Sequence, residues 1–156
     1  MSERIFSALN EDTGAEERIG QLMRDLLARI PSGSATLSVH RGPSGMIFQL
    51  KPANRDSAAF GVHYDGCVDV FFGTGTTFEL PWESGLPEDA DFEAVLQWAK
   101  AMGEAVIAGK CKERAGLLGV SGTIWVNGKP FKTANFFHLR LHPTTYRYAA
   151  YSPEAC

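Results

Sequence analysis

Two histidines and a glutamate are the side chains best suited to acid–base chemistry in this chain: His63, Glu79 and His138. An imidazole or a carboxylate whose pKa is shifted by its surroundings can transfer a proton near neutral pH. A hydrolase also needs a nucleophile or a second carboxylate beside that group. The chain contains neither a Gly-x-Ser-x-Gly stretch nor a His-Glu-x-x-His pair, which are common sources of such partners. We therefore favour a protein that is not an enzyme.

The surroundings of His63 follow from the hairpin predicted at Asp65-Gly66. This dipeptide favours a two-residue type I′ turn, which would pair His63 with Val68 and Val62 with Asp69. His63 would then share the apolar face of the sheet with Val68, and Asp69 would point to the opposite face. The pattern predicts a core histidine that Asp69 cannot orient for catalysis.

The carboxyl-terminal stretch from His138 to Tyr148 combines cationic and aromatic side chains. Alternation along a strand would place Leu139 and Leu141 in the core and the polar residues between them on the surface. His138 and His142 would lie roughly 13 Å apart on an extended strand, too far to share a metal ion. Tyrosine and arginine often anchor protein interfaces. We predict that a macromolecular partner docks on a surface formed by His138, Arg140, His142, Tyr146 and Tyr148.

Two glycine-containing stretches match nucleotide-binding loops only in part. Gly73-Thr74-Gly75 lacks the third glycine and the following helix of a dinucleotide-binding loop. Asn127-Gly128-Lys129 lacks the first glycine and the final hydroxyl residue of a P-loop. We interpret the first as a tight turn or bulge and the second as a two-residue hairpin. The sequence therefore predicts no cofactor.

Composition and charge narrow the classes of partner. The net charge is −3 and the lysines and arginines are spread along the chain, so we expect no nucleic-acid partner. No apolar run is long enough for a signal peptide or a membrane span, so we expect a cytoplasmic protein without a membrane partner. Cys67, Cys111 and Cys156 form no CxxC pair, which argues for reduced thiols and no metal.

Two helices and two groups of strands must position these residues. Apolar residues at helical spacing predict helices over residues 14–30 and 86–109. Period-two alternation predicts strands at 35–41, 46–51, 58–64 and 67–73. Paired threonines, a phenylalanine and a proline stop favour a further strand within residues 76–81, and the chain reads as strands again from Leu117 onward. We predict an α+β fold: a mostly antiparallel meandering sheet with two amphipathic helices packed on one face. Residues 1–156 should form a single globular domain whose residues 1–12 are a loosely ordered N-terminal arm.

Three functional hypotheses are consistent with these features. The favoured one is a non-enzymatic protein-binding module, immunity-like or chaperone-like, whose partner is another protein or a second copy. The order of elements is similar, in fold alone, to the small acidic bacterial secretion chaperones, which end in a further helix. The alternative is a small-molecule-binding protein or hydrolase with a pocket between sheet and helices that uses His63, Glu79 or His138. The third is a self-associating structural domain.

Overall fold

The residues that the structure describes form two helices and nine strands. The computed structural model describes residues 2–80, 87, 89–135 and 144–152, with side chains from residue 14 to residue 134 within those ranges and again from 144. The elements of the first half are α1 (Ser2–Ala28), β1 (Ala35–Gly42), β2 (Gly45–Pro52), β3 (Phe60–Tyr64), β4 (Val68–Phe72) and β5 (Thr76–Leu80). Those of the second half are α2 (Phe92–Ile107), β6 (Cys111–Gly116), β7 (Gly119–Val126), β8 (Lys129–Asn135) and β9 (Thr144–Arg147). The predicted α+β class is confirmed.

The strands form two antiparallel sheets. The first is a five-stranded meander in the order β1-β2-β3-β4-β5, and the second is four-stranded in the order β8-β7-β6-β9. The helix α2 lies in the chain between the sheets, and β5 contacts both β7 and β8. The edge of the first sheet therefore meets the second sheet.

Both helices cover one face of the five-stranded sheet. They contribute Ile19, Met23, Leu26, Val95 and Met102 to a buried cluster that also contains side chains from both sheets. Alternation directs every second residue of the central strands toward the helices, as the apolar pattern predicts. The remaining residues of these strands form the outer face of the five-stranded sheet.

The first helix begins further upstream than predicted. It is continuous from Ser2, not from residue 14, so the Thr13–Glu16 spacing of a capping box lies inside it. Residues 2–13 contain no proline, and Gly14 costs only about 1 kcal/mol relative to alanine within a helix. The predicted start near Gly14 rested on the capping-box spacing of Thr13 and Glu16. The looseness of the predicted arm, residues 1–12, stays a prediction.

The second group of strands also begins earlier than predicted. Its first strand, β6, starts at Cys111, and Leu117 and Leu118 occupy the turn between the paired residues Gly116 and Gly119. Three consecutive residues of β6 are charged: Lys112, Glu113 and Arg114. The sequence therefore shows no alternation of apolar and polar residues there, although the side chains alternate between the two sides of the strand. The two leucines are 55% and 69% exposed, so they form an apolar tip on this hairpin.

Candidate functional site

The register between β3 and β4 differs by one residue from the prediction. Tyr64 pairs with Val68 and His63 pairs with Asp69, so the loop has three residues. The Asp65 carboxylate accepts a hydrogen bond from the Cys67 backbone N–H at 3.2 Å, which draws Cys67 into the turn. A shift of one residue transfers a side chain to the other face of the strand. The prediction that His63 faces the core, away from Asp69, is therefore wrong.

Both ring nitrogens of His63 have partners on the outer face. Nε2 donates to the Ser44 carbonyl at 2.7 Å, and Nδ1 lies 3.4 Å from Oδ2 of Asp69. Burial lowers the pKa of His63, but the Ser44 carbonyl and the Asp69 carboxylate outweigh it and raise the pKa overall. The site stabilises an imidazolium whose two N–H groups are both engaged, which is unsuited to a general base.

Glu79 shares a cross-strand row with His63. Asp69 pairs with His63 on one side and with Glu79 on the other, so the three side chains follow one another across β3, β4 and β5. The structure thus brings two of the sequence-predicted acid–base candidates onto the same row. This row lies on the outer face, opposite the helices, and not in a pocket between sheet and helices. The third candidate, His138, lies outside the described residues.

A buried carboxylate joins the two sheets at the Gly73-Thr74-Gly75 turn. Glu113 of β6 is 0% exposed and accepts hydrogen bonds from the backbone N–H groups of Thr74 and Thr76, at 2.8 and 3.2 Å. The hydroxyls of Thr76, at 2.6 Å, and Tyr148 also donate to it. Burial, reinforced by the negative Glu113, raises the pKa of Tyr148 and keeps its hydroxyl protonated. We assign this cluster to structure, because its donors are satisfied within the protein.

The predicted turn at Gly73-Thr74-Gly75 is confirmed, since these residues connect β4 to β5. Gly73 has a φ of +65°, and a Cβ atom there would overlap the Glu113 carboxylate. The amides of this turn therefore do bind an anion, but the anion is a side chain of the same protein. The Asn127-Gly128 hairpin is also confirmed, with φ values of 51° and 77° between the paired Val126 and Lys129.

Two residues of the predicted docking surface, Tyr146 and Tyr148, lie on the inner side of the four-stranded sheet. Arg147, which stands between them in the sequence, lies on the other side. Tyr146 pairs with Glu113 on the inner side of the four-stranded sheet, and its ring stacks on Tyr148 at 6.3 Å. Tyr148 is half-buried and also contacts Phe72 edge-on. Arg147 is exposed on the outer side. His138, Arg140 and His142, the other members of the predicted docking surface, lie outside the described residues.

The outer side of the four-stranded sheet concentrates positive charge. Arg147 pairs with Lys112, which pairs with Thr123, which in turn pairs with Lys132. Arg114 lies two residues from Lys112 on the same side. We call Lys112, Arg114, Lys132 and Arg147 the basic face. None of these four cations has an ion-pair partner in the part of the chain that the structure describes.

A groove runs along the basic face. Its volume is about 430 Å³, and it is lined by the four cations together with the hydroxyl residues Ser121, Thr123 and Thr145. An adjoining depression of about 260 Å³ shares Lys112 and Arg147 and is walled by Trp125. The Lys112 Nζ lies 5.5 Å from the Trp125 ring centroid. Cations, hydroxyls and an aromatic ring thus line two depressions that share Lys112 and Arg147.

Sequence reasoning missed the basic face because its cations are spread along the chain. That spread was the ground for expecting no nucleic-acid partner, and the sheet brings four of the charges together. A local signal was present, since residues 110 to 135 contain five lysines and arginines, Lys110 included, and Glu113 as their one acidic residue. Alternation within β6 then assigns Lys112 and Arg114 to one side and Glu113 to the other.

The described residues contain no group of three His, Cys, Asp or Glu side chains placed to hold a metal ion. No helix among them has the length and apolar character needed to cross a membrane.

No protein-family model, curated protein sequence or solved structure shows significant similarity to this chain.

Proposed function

We propose that this chain is a non-enzymatic binding module whose protein partner presents an acidic surface to the basic face. The observation that carries the proposal is the set of four cations on one side of a sheet, without an ion-pair partner among the described residues. Covering an acidic surface of another protein is a chaperone-like or immunity-like role. Free Cys67 and Cys111 support the cytoplasm as the compartment.

Repulsion among the cations of the basic face favours the binding of an acidic partner. Arg147 and Lys112 lie directly opposite each other, and like charges in that position destabilise a sheet. An acidic partner would convert this repulsion into attraction and would also accelerate association by long-range steering. The cost of assembling the cations is thereby offset in the complex.

The hairpin tip beyond the end of β6 offers exposed apolar contact area. Leu117 and Leu118 follow Arg114 at the end of β6, and both are more than half exposed. Protein interfaces commonly combine an apolar centre with charged residues at the rim. We include the two leucines in the proposed interface. The hydrolase alternative receives less support, because both ring nitrogens of His63 are engaged.

Charge reversal of the basic face tests the proposal. The probe is a hexaglutamate peptide, titrated into the ¹⁵N-labelled protein while the Trp125 indole resonance is followed. We expect saturable binding that weakens as salt increases, and about a tenfold loss in the Lys112→Glu/Arg147→Glu variant. The matched control is Lys51→Glu/Arg55→Glu, which reverses two exposed cations of the first half of the chain and should bind like the wild type.

Three outcomes would contradict the proposal. They are an absence of saturable binding by the wild type, an equal loss of affinity in the control variant, and binding that is insensitive to salt. Sedimentation of the protein alone adds a further check. Self-association that disappears in Lys112→Glu/Arg147→Glu would identify a second copy as the partner and overturn the assignment to another protein.

A further inference from the structure

We infer that the basic face recognises a phosphorylated segment of its protein partner, with a phosphate monoester seated in the groove over Thr123. This inference rests on the proposed function, since it specifies the acidic group that the partner supplies.

The positions of the cations favour one compact dianion. Arg147, Lys112, Thr123 and Lys132 occupy successive strands, so their backbones span about 14 Å across the sheet. Arg114 lies about 7 Å from Lys112 along β6. Long lysine and arginine side chains reach over such distances. Cations on both sides of Thr123 can therefore converge on a single group above it.

The charge of the groove matches a phosphate better than a carboxylate. A phosphate monoester carries about −1.5 to −2 at neutral pH, whereas a carboxylate carries −1. Four cations line this groove, and no aspartate or glutamate is among its described lining residues. A single carboxylate would leave most of the repulsion between Lys112 and Arg147 in place. A dianion bound between these side chains neutralises more of the positive charge that causes this repulsion.

The donors in the groove also match the oxygens of a phosphate. Arginine offers a planar fork that binds phosphate through two parallel hydrogen bonds, and lysine offers a point charge. Thr123 adds a hydroxyl donor on the floor between Lys112 and Lys132, and Ser121 and Thr145 add one on either side of Arg114. Three phosphate oxygens accept bonds in several directions, which a planar carboxylate does not.

The charge of the remaining surface argues against a long nucleic acid. The net charge of −3 includes the four cations of the basic face, so the rest of the chain carries −7. Nucleic-acid binding depends on neutralising many phosphates along a basic stripe. A short phosphorylated segment contacts the groove alone and avoids the acidic remainder.

Calorimetry with a matched peptide pair tests the inference. One synthetic peptide carries a central phosphoserine, and the other carries two glutamates there, so that the charges are similar. We expect the phosphopeptide to bind about tenfold more tightly, because phosphate accepts more charge-assisted hydrogen bonds. Arg147→Lys keeps the charge but removes the fork, and Thr123→Val removes the hydroxyl. Both should reduce the affinity for the phosphopeptide by a larger factor than the affinity for the glutamate peptide, so the preference should shrink.

The outcomes separate this inference from the proposed function. Equal affinities for the two peptides, both lost in Lys112→Glu/Arg147→Glu, would overturn the inference and leave the proposed function standing. Failure of the wild type to bind either peptide would overturn both. Tighter binding of inorganic phosphate than of the phosphopeptide would show that the groove binds free phosphate, and it would overturn recognition of a phosphorylated protein segment. Tighter binding of a single-stranded oligonucleotide would overturn the protein partner itself.

Discussion

Glu113 of β6 accepts hydrogen bonds from both the backbone amide and the hydroxyl of Thr76 on β5, across the junction of the two sheets. Both residues are fully buried. Removing a carboxylate from water costs several kcal/mol unless protein donors replace the lost hydration. The Thr76 donors, with those of Thr74 and Tyr148, provide that replacement. The pair therefore fixes how the edge of the first sheet meets the second.

Replacing Glu113 by glutamine should destabilise the protein by about 2–4 kcal/mol, because one carboxylate oxygen becomes an NH2 group and the N–H and O–H donors bonded to that oxygen lose their acceptor. The measurement is urea denaturation followed by circular dichroism. Glu104→Gln is the matched control, since Glu104 forms a partly exposed ion pair with Arg29 worth at most about 1 kcal/mol. A smaller loss for Glu113→Gln than for Glu104→Gln would show that the buried carboxylate does not stabilise the sheet junction.

Gly73→Ala tests the same junction through the backbone. Gly73 and Gly33 both have positive φ values, +65° and +82°, but only at Gly73 would a Cβ atom overlap the Glu113 carboxylate. The strain of a positive φ alone costs about 1–2 kcal/mol for alanine. Gly33→Ala should therefore lose about that amount of unfolding free energy, and Gly73→Ala should lose clearly more. Equal losses in the two variants would mean that the carboxylate moves aside without cost.

Much of the fold was predictable because the information is local. Alternation identified β1 to β4, and threonines and a phenylalanine ahead of a proline identified β5. Asn127-Gly128 specified its hairpin correctly, since a type I′ turn requires positive φ values that these residues tolerate. The two-residue loop predicted at Asp65-Gly66 was wrong, although it too was derived from a local dipeptide pattern. The hydrogen bond from the Cys67 N–H to the Asp65 carboxylate adds a third loop residue, and the dipeptide alone does not reveal it.

The candidate site depends on pairings between distant segments. Alternation assigns Lys112 to one side of β6, but its proximity to Arg147 requires the antiparallel register with β9. Glu113 likewise points inward by alternation, while its donors in the β4–β5 turn lie 37 to 39 residues away in the chain. Such contacts are decided by packing of whole elements, so no local pattern could have found them.

The described cysteines should differ in reactivity. Cys67 is exposed in the β3–β4 turn, whereas burial, with a contribution from the negative Glu113, raises the pKa of Cys111 to about 12. Because the thiolate is the reactive form, iodoacetamide at pH 8 should alkylate Cys67 and spare Cys111 in the folded protein. Peptide mapping by mass spectrometry distinguishes the sites. Alkylation of Cys111 at a rate similar to that of Cys67 without denaturant would contradict its burial.

The contact of His63 with Asp69 should make stability depend on pH. The folded-state pKa of His63 is raised above the ordinary value of 6.5, because Ser44 and Asp69 favour the imidazolium more than burial opposes it. The stabilisation is therefore fully present below pH 6.5 and is lost as the pH rises through the folded-state pKa. The unfolding free energy of the wild type minus that of His63→Gln should be largest near pH 6 and should decline toward pH 9.

Asp69→Asn is the decisive comparison for this contact. The variant retains the imidazole and its bond to the Ser44 carbonyl but removes the carboxylate that lies 3.4 Å from Nδ1. If the carboxylate contributes to the raised pKa, Asp69→Asn should lower the folded-state pKa of His63, as measured by NMR titration of its ring protons. It should also flatten the decline in stability between pH 6 and pH 9. An unchanged titration in Asp69→Asn would assign the raised pKa to the Ser44 carbonyl and the nearby Asp65 charge, and a stability difference that grows with pH would refute a raised pKa altogether.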